Sequence, residues 1–414
     1  MIPLRFGVKR SFMSESIPVA QRLSAVKPSA TVAVAQRARE LKAQGIDVLS
    51  FSVGEPDFDT PEYIREAAKK AIDDGATRYT AARGTIELRE AICAASAKRR
   101  SGITYDPSEV VVSVGAKHTL FNLALALYDP GDEVLIPAPY WVSYPEQVRL
   151  AGAEPVVVQT TEEEGFRMTP ETLRAAITPK TKALLLCSPS NPTGAAYTGE
   201  QLRALADVAA EHDFWIIVDE IYGQLVYGDF EQKSVIEVAP ELRDQIIIVD
   251  GVSKTFAMTG WRIGWMLGPE YVTKACDKIQ GQATTNPSSV AQRAATAALT
   301  GSWEPMEAMR QAFEERRTII VDGLNAIDGI SCRLPEGAFY AFANVQGLIG
   351  RTGAGKVLEN DLDLAGYLLE EARCAVVPGT AFGAPGFVRM SYAASNDMIR
   401  EGLRRIDEAV RKLD

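Results

Sequence analysis

The chain has 414 residues, of which 46% are hydrophobic and 24% charged, and its formal net charge is −10. That length exceeds one small core and leads to two domains or one large α/β domain. The negative charge excludes a broad nucleic-acid surface, and no apolar run reaches the roughly 18 residues of a membrane helix.

Residues 1–12 hold Arg5, Lys9 and Arg10 and no acid. They read as an extension, or as sequence ahead of a start at Met13, and lack the apolar core of a secretory signal. Residues 29–44 become helical toward their end. Residues 46–58 read as a short strand running into a Gly-Pro turn. Residues 61–74 and 88–102 carry helical patterns, the second ended by Gly102.

Strands and helices then alternate. EVVVSVG, DEVLIP, EPVVVQT, KALLLCSPS, FWIIVDE and QIIIVDGVSK read as strands. AKHTLFNLALALY, YWVSYPEQVRLAG and GEQLRALADVAAEHD read as helices between them. Strands apolar on both faces imply a mostly parallel sheet covered by helices. From Trp303 onward a long helix leads to short strands (GAFYAFANV, ARCAVVPG, FVRMSYA) and a final helix from Asn396. The expected division is an arm over residues 1–28, a large α/β domain over 60–299, and a smaller α+β domain from 29–59 with 300–414.

Five scattered cysteines, Cys93, Cys187, Cys276, Cys332 and Cys374, form no CxxC pair. They argue against a disulfide framework or zinc site and fit a cytoplasmic location. With only His118 and His212, a histidine triad and a multi-histidine metal centre are not expected, and no metal is assigned. GRTGAGKV at 350–357 nearly matches a phosphate loop, but Val357 stands where magnesium needs Ser or Thr. A glycine-rich surface loop is the better reading.

The strongest chemical signal is Lys254, just past the strand QIIIVDGV. A surface lysine opening a loop is the plain alternative. Ser253 and Arg262, with small residues and glycines between, are what an anion held against backbone needs. A desolvated lysine near cations can condense with an aldehyde cofactor. Gly115, Ala116 and Lys117 lie where a strand opens into a helix, whose free N–H groups favour an anion. Asp219 and Tyr222 follow a strand at the sheet edge where ligands gather. Taken alone, Asp219 reads as a helix cap and Tyr222 as a core tyrosine. Arg389 lies inside a β-run, costly unless paired, and its planar fork suits a carboxylate. Asn191 reads locally as a turn, Tyr79 as a loop aromatic and Trp141 as core packing.

SKTFAMTGWRIG at 253–264 resembles the lysine motif of the fold-type I, class I aminotransferases. The likeness runs over nearly the whole chain, with the remaining motifs in that family's order. It implies a three-layer α/β fold, pyridoxal 5′-phosphate as cofactor and Lys254 as its covalent anchor. By the same resemblance, Asp219 meets the pyridinium nitrogen, and Tyr222 and Asn191 meet the ring 3′-oxygen. Gly115, Ala116, Lys117, Ser253 and Arg262 hold the phosphate. Tyr79 reaches the phosphate of the neighbouring subunit, which implies a homodimer. Trp141 stacks on the ring. Arg389, Asn191 and Gly54 receive the substrate α-carboxylate.

The resemblance is closest to the bacterial and plant branch of aspartate aminotransferases, which overlaps with prephenate aminotransferases. It implies a distal-carboxylate site at Lys117 and Thr31, and amino transfer from aspartate or a related dicarboxylic amino acid to 2-oxoglutarate. His118 replaces a glutamine often found there. Carbon–sulfur lyases and aminocyclopropane-carboxylate synthases share the cofactor residues and stand as alternatives. A regulator with an appended DNA-binding domain is disfavoured by the short N-terminal extension and the negative charge.

Overall fold

Strands buried at every position need cover on both faces, and three of the central strands are of this kind: Val110–Ser113, Ile246–Gly251 and Gly264–Leu267. The computed structural model, which describes residues 19–27 and 30–414, supplies that cover. Seven strands lie in the order Val110–Ser113, Gly264–Leu267, Ile246–Gly251, Trp215–Asp219, Thr181–Cys187, Glu133–Ala138 and Glu154–Gln159. The five from Ile246–Gly251 to Glu154–Gln159 pair in parallel. Gly264–Leu267 runs antiparallel to both neighbours. This strand is absent from the sequence reading, because it begins at the last residue of the lysine motif with no turn signal ahead of it.

Alternation of side chains assigns the two layers. Leu184, Leu186, Ile216, Val218, Ile246 and Ile248 pack with Leu88, Ile92, Leu202 and Leu205 on one face. Ala183, Leu185, Ile217, Ile247 and Val249 pack with Leu120, Leu123, Val148 and Val272 on the other. The result is the expected three-layer, mostly parallel α/β fold.

The C-terminal region builds a second, antiparallel sheet in the order Val377–Pro378, Phe387–Ser391, Tyr340–Asn344 and Ser331–Cys332. Helices Glu304–Asn325 and Asn396–Val410 contribute Phe313, Ile320, Ile399 and Ile406 to its core. Leu49–Ser50 pairs in parallel with Cys374–Ala375, so the N-terminal segment is tied to this region. Helix Ala30–Ala43 adds Ala38 and Leu41 against Val48 and Ala375. Residues 1–12, Met13 and most of the expected arm lie outside the described residues, as does the Thr31 side chain. The glycine-rich motif is a hairpin, Thr352–Gly353 with Lys356–Val357, turning through Ala354 and Gly355 at positive φ. All five cysteines are free. Among the described residues no helix is long and apolar enough to cross a membrane.

Beneath the strand ends lies a buried ion cluster. Arg100 donates to Glu220 Oε2 at 2.6 Å and to Ser96 Oγ at 2.9 Å, and reaches Asp250 Oδ2 at 3.4 Å. Arg99 meets the same Asp250 oxygen at 2.9 Å. Glu220 follows Asp219, and Asp250 lies four residues before Lys254. The cluster therefore clamps two adjacent strand ends together. Removing one partner of a buried pair strands the other charge. Arg100→Met is expected to lower stability by about 3–5 kcal/mol in urea unfolding; an unchanged midpoint would contradict the clamp.

Candidate active site

The strand ends at one sheet edge open into a cavity of about 460 Å³. Its walls include Gly54, Ala116, Lys117, Trp141, Asn191, Asp219, Tyr222, Ser253, Lys254, Arg262 and Arg389. Eleven side chains or backbone positions singled out in the sequence thus meet in one enclosure.

Lys254 leaves the end of strand Ile246–Gly251 and donates from Nζ to the Gly54 carbonyl at 2.5 Å. Its amine lies 5.9 Å from the Tyr222 ring centre and 5.8 Å from that of Phe339. Burial is the main force on its pKa, which falls to about 8. Arg262 and Arg389 push it further down, while Glu55 and Asp219 oppose them.

Asp219 ends strand Trp215–Asp219 and is buried. It accepts from Tyr144 Oη at 2.8 Å and from the Ile221 N–H at 3.1 Å, both neutral donors. The Ile221 bond is the local turn that its residue type predicts. Burial raises its pKa to about 6, against the pull of those two bonds. A buried carboxylate held by neutral groups and facing a cavity is suited to a cationic ligand.

Arg389 sits on strand Phe387–Ser391, opposite Phe342 of the neighbouring strand. Nη1 donates to Asn191 Oδ1 at 3.0 Å and Nη2 to the Ser52 carbonyl at 2.7 Å. Its Nε is buried without a partner. The guanidinium also lies 4.6 Å from the Tyr340 ring centre and 5.1 Å from that of Phe382. This charge is oriented by neutral oxygens and meets no carboxylate among the described residues.

At the far wall, Gly115 caps helix Ala116–Leu127 with φ +85°. A side chain there would collide with the Arg262 guanidinium, and one at Gly264 with the backbone of Gly115 and Ala116. Glycine at both positions lets the helix start, the neighbouring strand and Arg262 close on one another. Arg262 donates from Nη1 to the Thr259 carbonyl at 2.8 Å. Lys117 Nζ lies 4.8 Å from the Trp141 ring centre, and burial followed by the Arg262 charge lowers its pKa. Among the described residues, helix N–H groups and two cations therefore converge without an anion among them.

Three expected site residues stand apart. Gly115 shapes the helix start without lining the cavity. Tyr79 is 86% exposed and does not line this cavity. The Thr31 side chain lies outside the described residues. His118 accepts the Val114 N–H at its Nδ1 over 3.3 Å and lines a neighbouring cavity instead. The sequence reading missed Tyr144, Tyr340, Ser52 and Glu55, all of which line the cavity. Tyr144 could have been found from its place in the first turn of the helix that follows Trp141, whose ring it meets edge-on.

The Aminotransferase class I and II family model matches residues 46–406. The chain belongs to the class I and II aminotransferases. An aspartate aminotransferase of Geobacillus stearothermophilus is 50% identical over 388 residues, covering 94% of this chain and 98% of that one. A probable aspartate/prephenate aminotransferase of Rhizobium leguminosarum bv. phaseoli is 50% identical over 94% of this chain and 97% of its own length. The solved aspartate aminotransferase of Rhizobium meliloti superposes with a TM-score of 0.94 at 44% identity, covering 96% of this chain and 100% of that one. Aminotransferases of this class depend on pyridoxal phosphate, and so does this one. The cavity fits that molecule: a depressed-pKa amine for the aldehyde, a buried carboxylate for the ring nitrogen and a cationic helix start for the phosphate.

Only the neutral amine attacks an aldehyde. The pKa of Lys254 is depressed, so its neutral fraction grows as pH rises through about 8. Cofactor-free protein mixed with pyridoxal phosphate is expected to react with a pH–rate midpoint near 8 in stopped-flow absorbance. A midpoint at the ordinary lysine value of about 10.4 would contradict the buried amine.

Proposed function

We propose that this aminotransferase moves an amino group between aspartate, or a related dicarboxylic amino acid, and 2-oxoglutarate. The observation that carries the reading is one enclosure holding a desolvated amine, an unpaired carboxylate and an unpaired arginine. Bound pyridoxal phosphate supplies an aldehyde that condenses with amines and a pyridinium ring that withdraws electrons from the substrate α-carbon.

The chain's own residues divide the remaining work. Lys254 Nζ takes the proton from the substrate α-carbon; with a pKa near 8 about a tenth of it is free base at pH 7, far more than for an ordinary lysine at about 10.4. Asp219 presents a negative charge to the ring nitrogen and keeps a proton there. Tyr222 donates to the ring oxygen, and Trp141 covers the ring face. Ser253, Arg262 and the helix start at Gly115, Ala116 and Lys117 bind the phosphate. Arg389, oriented by Asn191 and Ser52, holds the α-carboxylate, helped by the Gly54 N–H. Lys117 and Thr31 hold the distal carboxylate.

Residues 60–299 act as the cofactor-binding domain in this reading. Residues 29–59 with 300–414 form the smaller domain that delivers Arg389 and excludes water. The exposure of Tyr79 supports a homodimer in which each copy completes its partner's phosphate site. Five free cysteines support a cytoplasmic setting.

A second reading, prephenate as amino acceptor, is favoured by relatives named aspartate/prephenate aminotransferase. One set of assays separates these. Aspartate with 2-oxoglutarate is expected to give glutamate, with prephenate tested as acceptor alongside. Lys117→Ala is expected to lower kcat/KM for aspartate by about 10- to 100-fold, and far less for an aromatic amino acid. Pyruvate release without an oxo acid, or equal losses for both donors, would count against the reading.

A further inference from the structure

Tyr340 is fully buried and lines the cavity, yet no role above uses it. Its strand pairs with that of Arg389: Tyr340 stands opposite Ser391, and Phe342 opposite Arg389. This register puts Tyr340 diagonal to Arg389, within reach of an aromatic side chain. The guanidinium packs on the Tyr340 ring at 4.6 Å. At its other end, Tyr340 Oη lies 2.8 Å from Tyr222 Oη. Gly54 makes room for this hydroxyl, since a side chain there would come within 2.8 Å of it. The same Gly54 carbonyl receives the Lys254 amine. One side chain thus touches the carboxylate-binding arginine, the ring-oxygen tyrosine and the residue that seats the lysine.

Two tyrosine hydroxyls at this distance share one proton between them, and one must donate. The proton of Tyr222 can reach the cofactor only if Tyr340 is the donor. Burial raises the pKa of both tyrosines and Arg389 opposes it at both, but the guanidinium packs directly on the Tyr340 ring and is the first force against burial there, which makes Tyr340 the better donor of the pair. We propose that Tyr340 is a positioning residue: biased by Arg389, it donates its hydroxyl proton to Tyr222 and so directs the Tyr222 proton at the cofactor ring oxygen. The inference rests on the assignment of Tyr222 and Lys254 in the preceding section. It has a consequence for substrate binding. A carboxylate that neutralises Arg389 removes the bias, weakens donation through Tyr222 and raises the proton affinity at Lys254 Nζ as the base is needed.

The test is Tyr340→Phe, which keeps the ring under Arg389 and removes only the hydroxyl. The groups facing Lys254 and Tyr222 are Asp219, Glu55, Arg262, Arg389 and Cys187, and the substitution alters none of them. Visible absorbance of the cofactor-loaded enzyme is titrated with pH, with and without maleate as an unreactive dicarboxylate. Without maleate, the midpoint is expected to rise by about half a pH unit or more in the variant. With maleate, the midpoint displacement is expected to be smaller than in the unsubstituted enzyme. In a Tyr222→Phe background, Tyr340→Phe is expected to have no further effect on the midpoint.

An unchanged or lowered midpoint in a variant that melts normally would overturn the donor assignment. So would an effect that persists without the Tyr222 hydroxyl. An equal maleate displacement would overturn the link to Arg389. A variant that melts lower with an unmoved midpoint would make Tyr340 a packing residue only. An unsubstituted enzyme with no pH-dependent visible band would sink the assignment of Lys254 itself, and this proposal with it.

Discussion

An ammonium group drawn out of water must find compensation or lose its proton, and the site is organised around a lysine denied full compensation. Lys254 donates to one carbonyl, faces two aromatic rings and feels two arginine charges. Asp219 shows the complementary condition, a carboxylate buried with neutral donors. Both ionisations oppose folding. The cost at Asp219 is complete above about pH 6 and that at Lys254 below about pH 8, so the two act together near neutrality. In the proposed reading, a ligand carrying an aldehyde, a basic ring nitrogen and an anion relieves the lysine, the aspartate and Arg262, and the substrate carboxylate relieves Arg389. The chain keeps the site unsatisfied for that ligand.

The rest of the fold keeps it so. Arg99 and Arg100 neutralise Glu220 and Asp250 beneath the strand ends, fixing the backbone from which Asp219 and Lys254 project. The antiparallel strand Gly264–Leu267 wedges beside Val110–Ser113, and its glycine lets the helix start approach Arg262. The second sheet carries Arg389 to the opposite wall with Tyr340 and Phe382 packed on its guanidinium. Three structural units therefore bring charged groups to a shared enclosure: the adjacent strand ends carry Asp219 and Lys254, the helix start and antiparallel strand Arg262, and the second sheet Arg389.

The sheet was legible because its strands are apolar runs separated by amphipathic helices, a pattern set by burial on both faces. Lys254, Ser253 and Arg262 were legible because one short segment holds them. Asp219 was ambiguous in sequence for a physical reason: it does form the local turn with Ile221, and the cavity it faces comes from distant chain. Gly264–Leu267 was missed because it begins at the last residue of the lysine motif, with no turn signal to set it off. Tyr144 and Tyr340 were missed because a tyrosine in an apolar context reads as core. Both are core in burial, and only register and helix spacing aim their hydroxyls at Asp219 and Tyr222. His118, a departure from the resembled pattern, turns back to the Val114 N–H and leaves the main cavity alone. Tyr79 stays on the surface of this chain, which is consistent with the proposal that it serves a neighbouring copy.

The central claim is that a single buried amine bonds covalently to the cofactor. The direct measurement is borohydride reduction of the pyridoxal-phosphate-loaded enzyme, followed by peptide mapping by mass spectrometry. The account predicts one reduced pyridoxyl adduct, on the peptide bearing Lys254, with loss of the visible band. An adduct spread over surface lysines, or none at all on a protein that stays colourless, would contradict it.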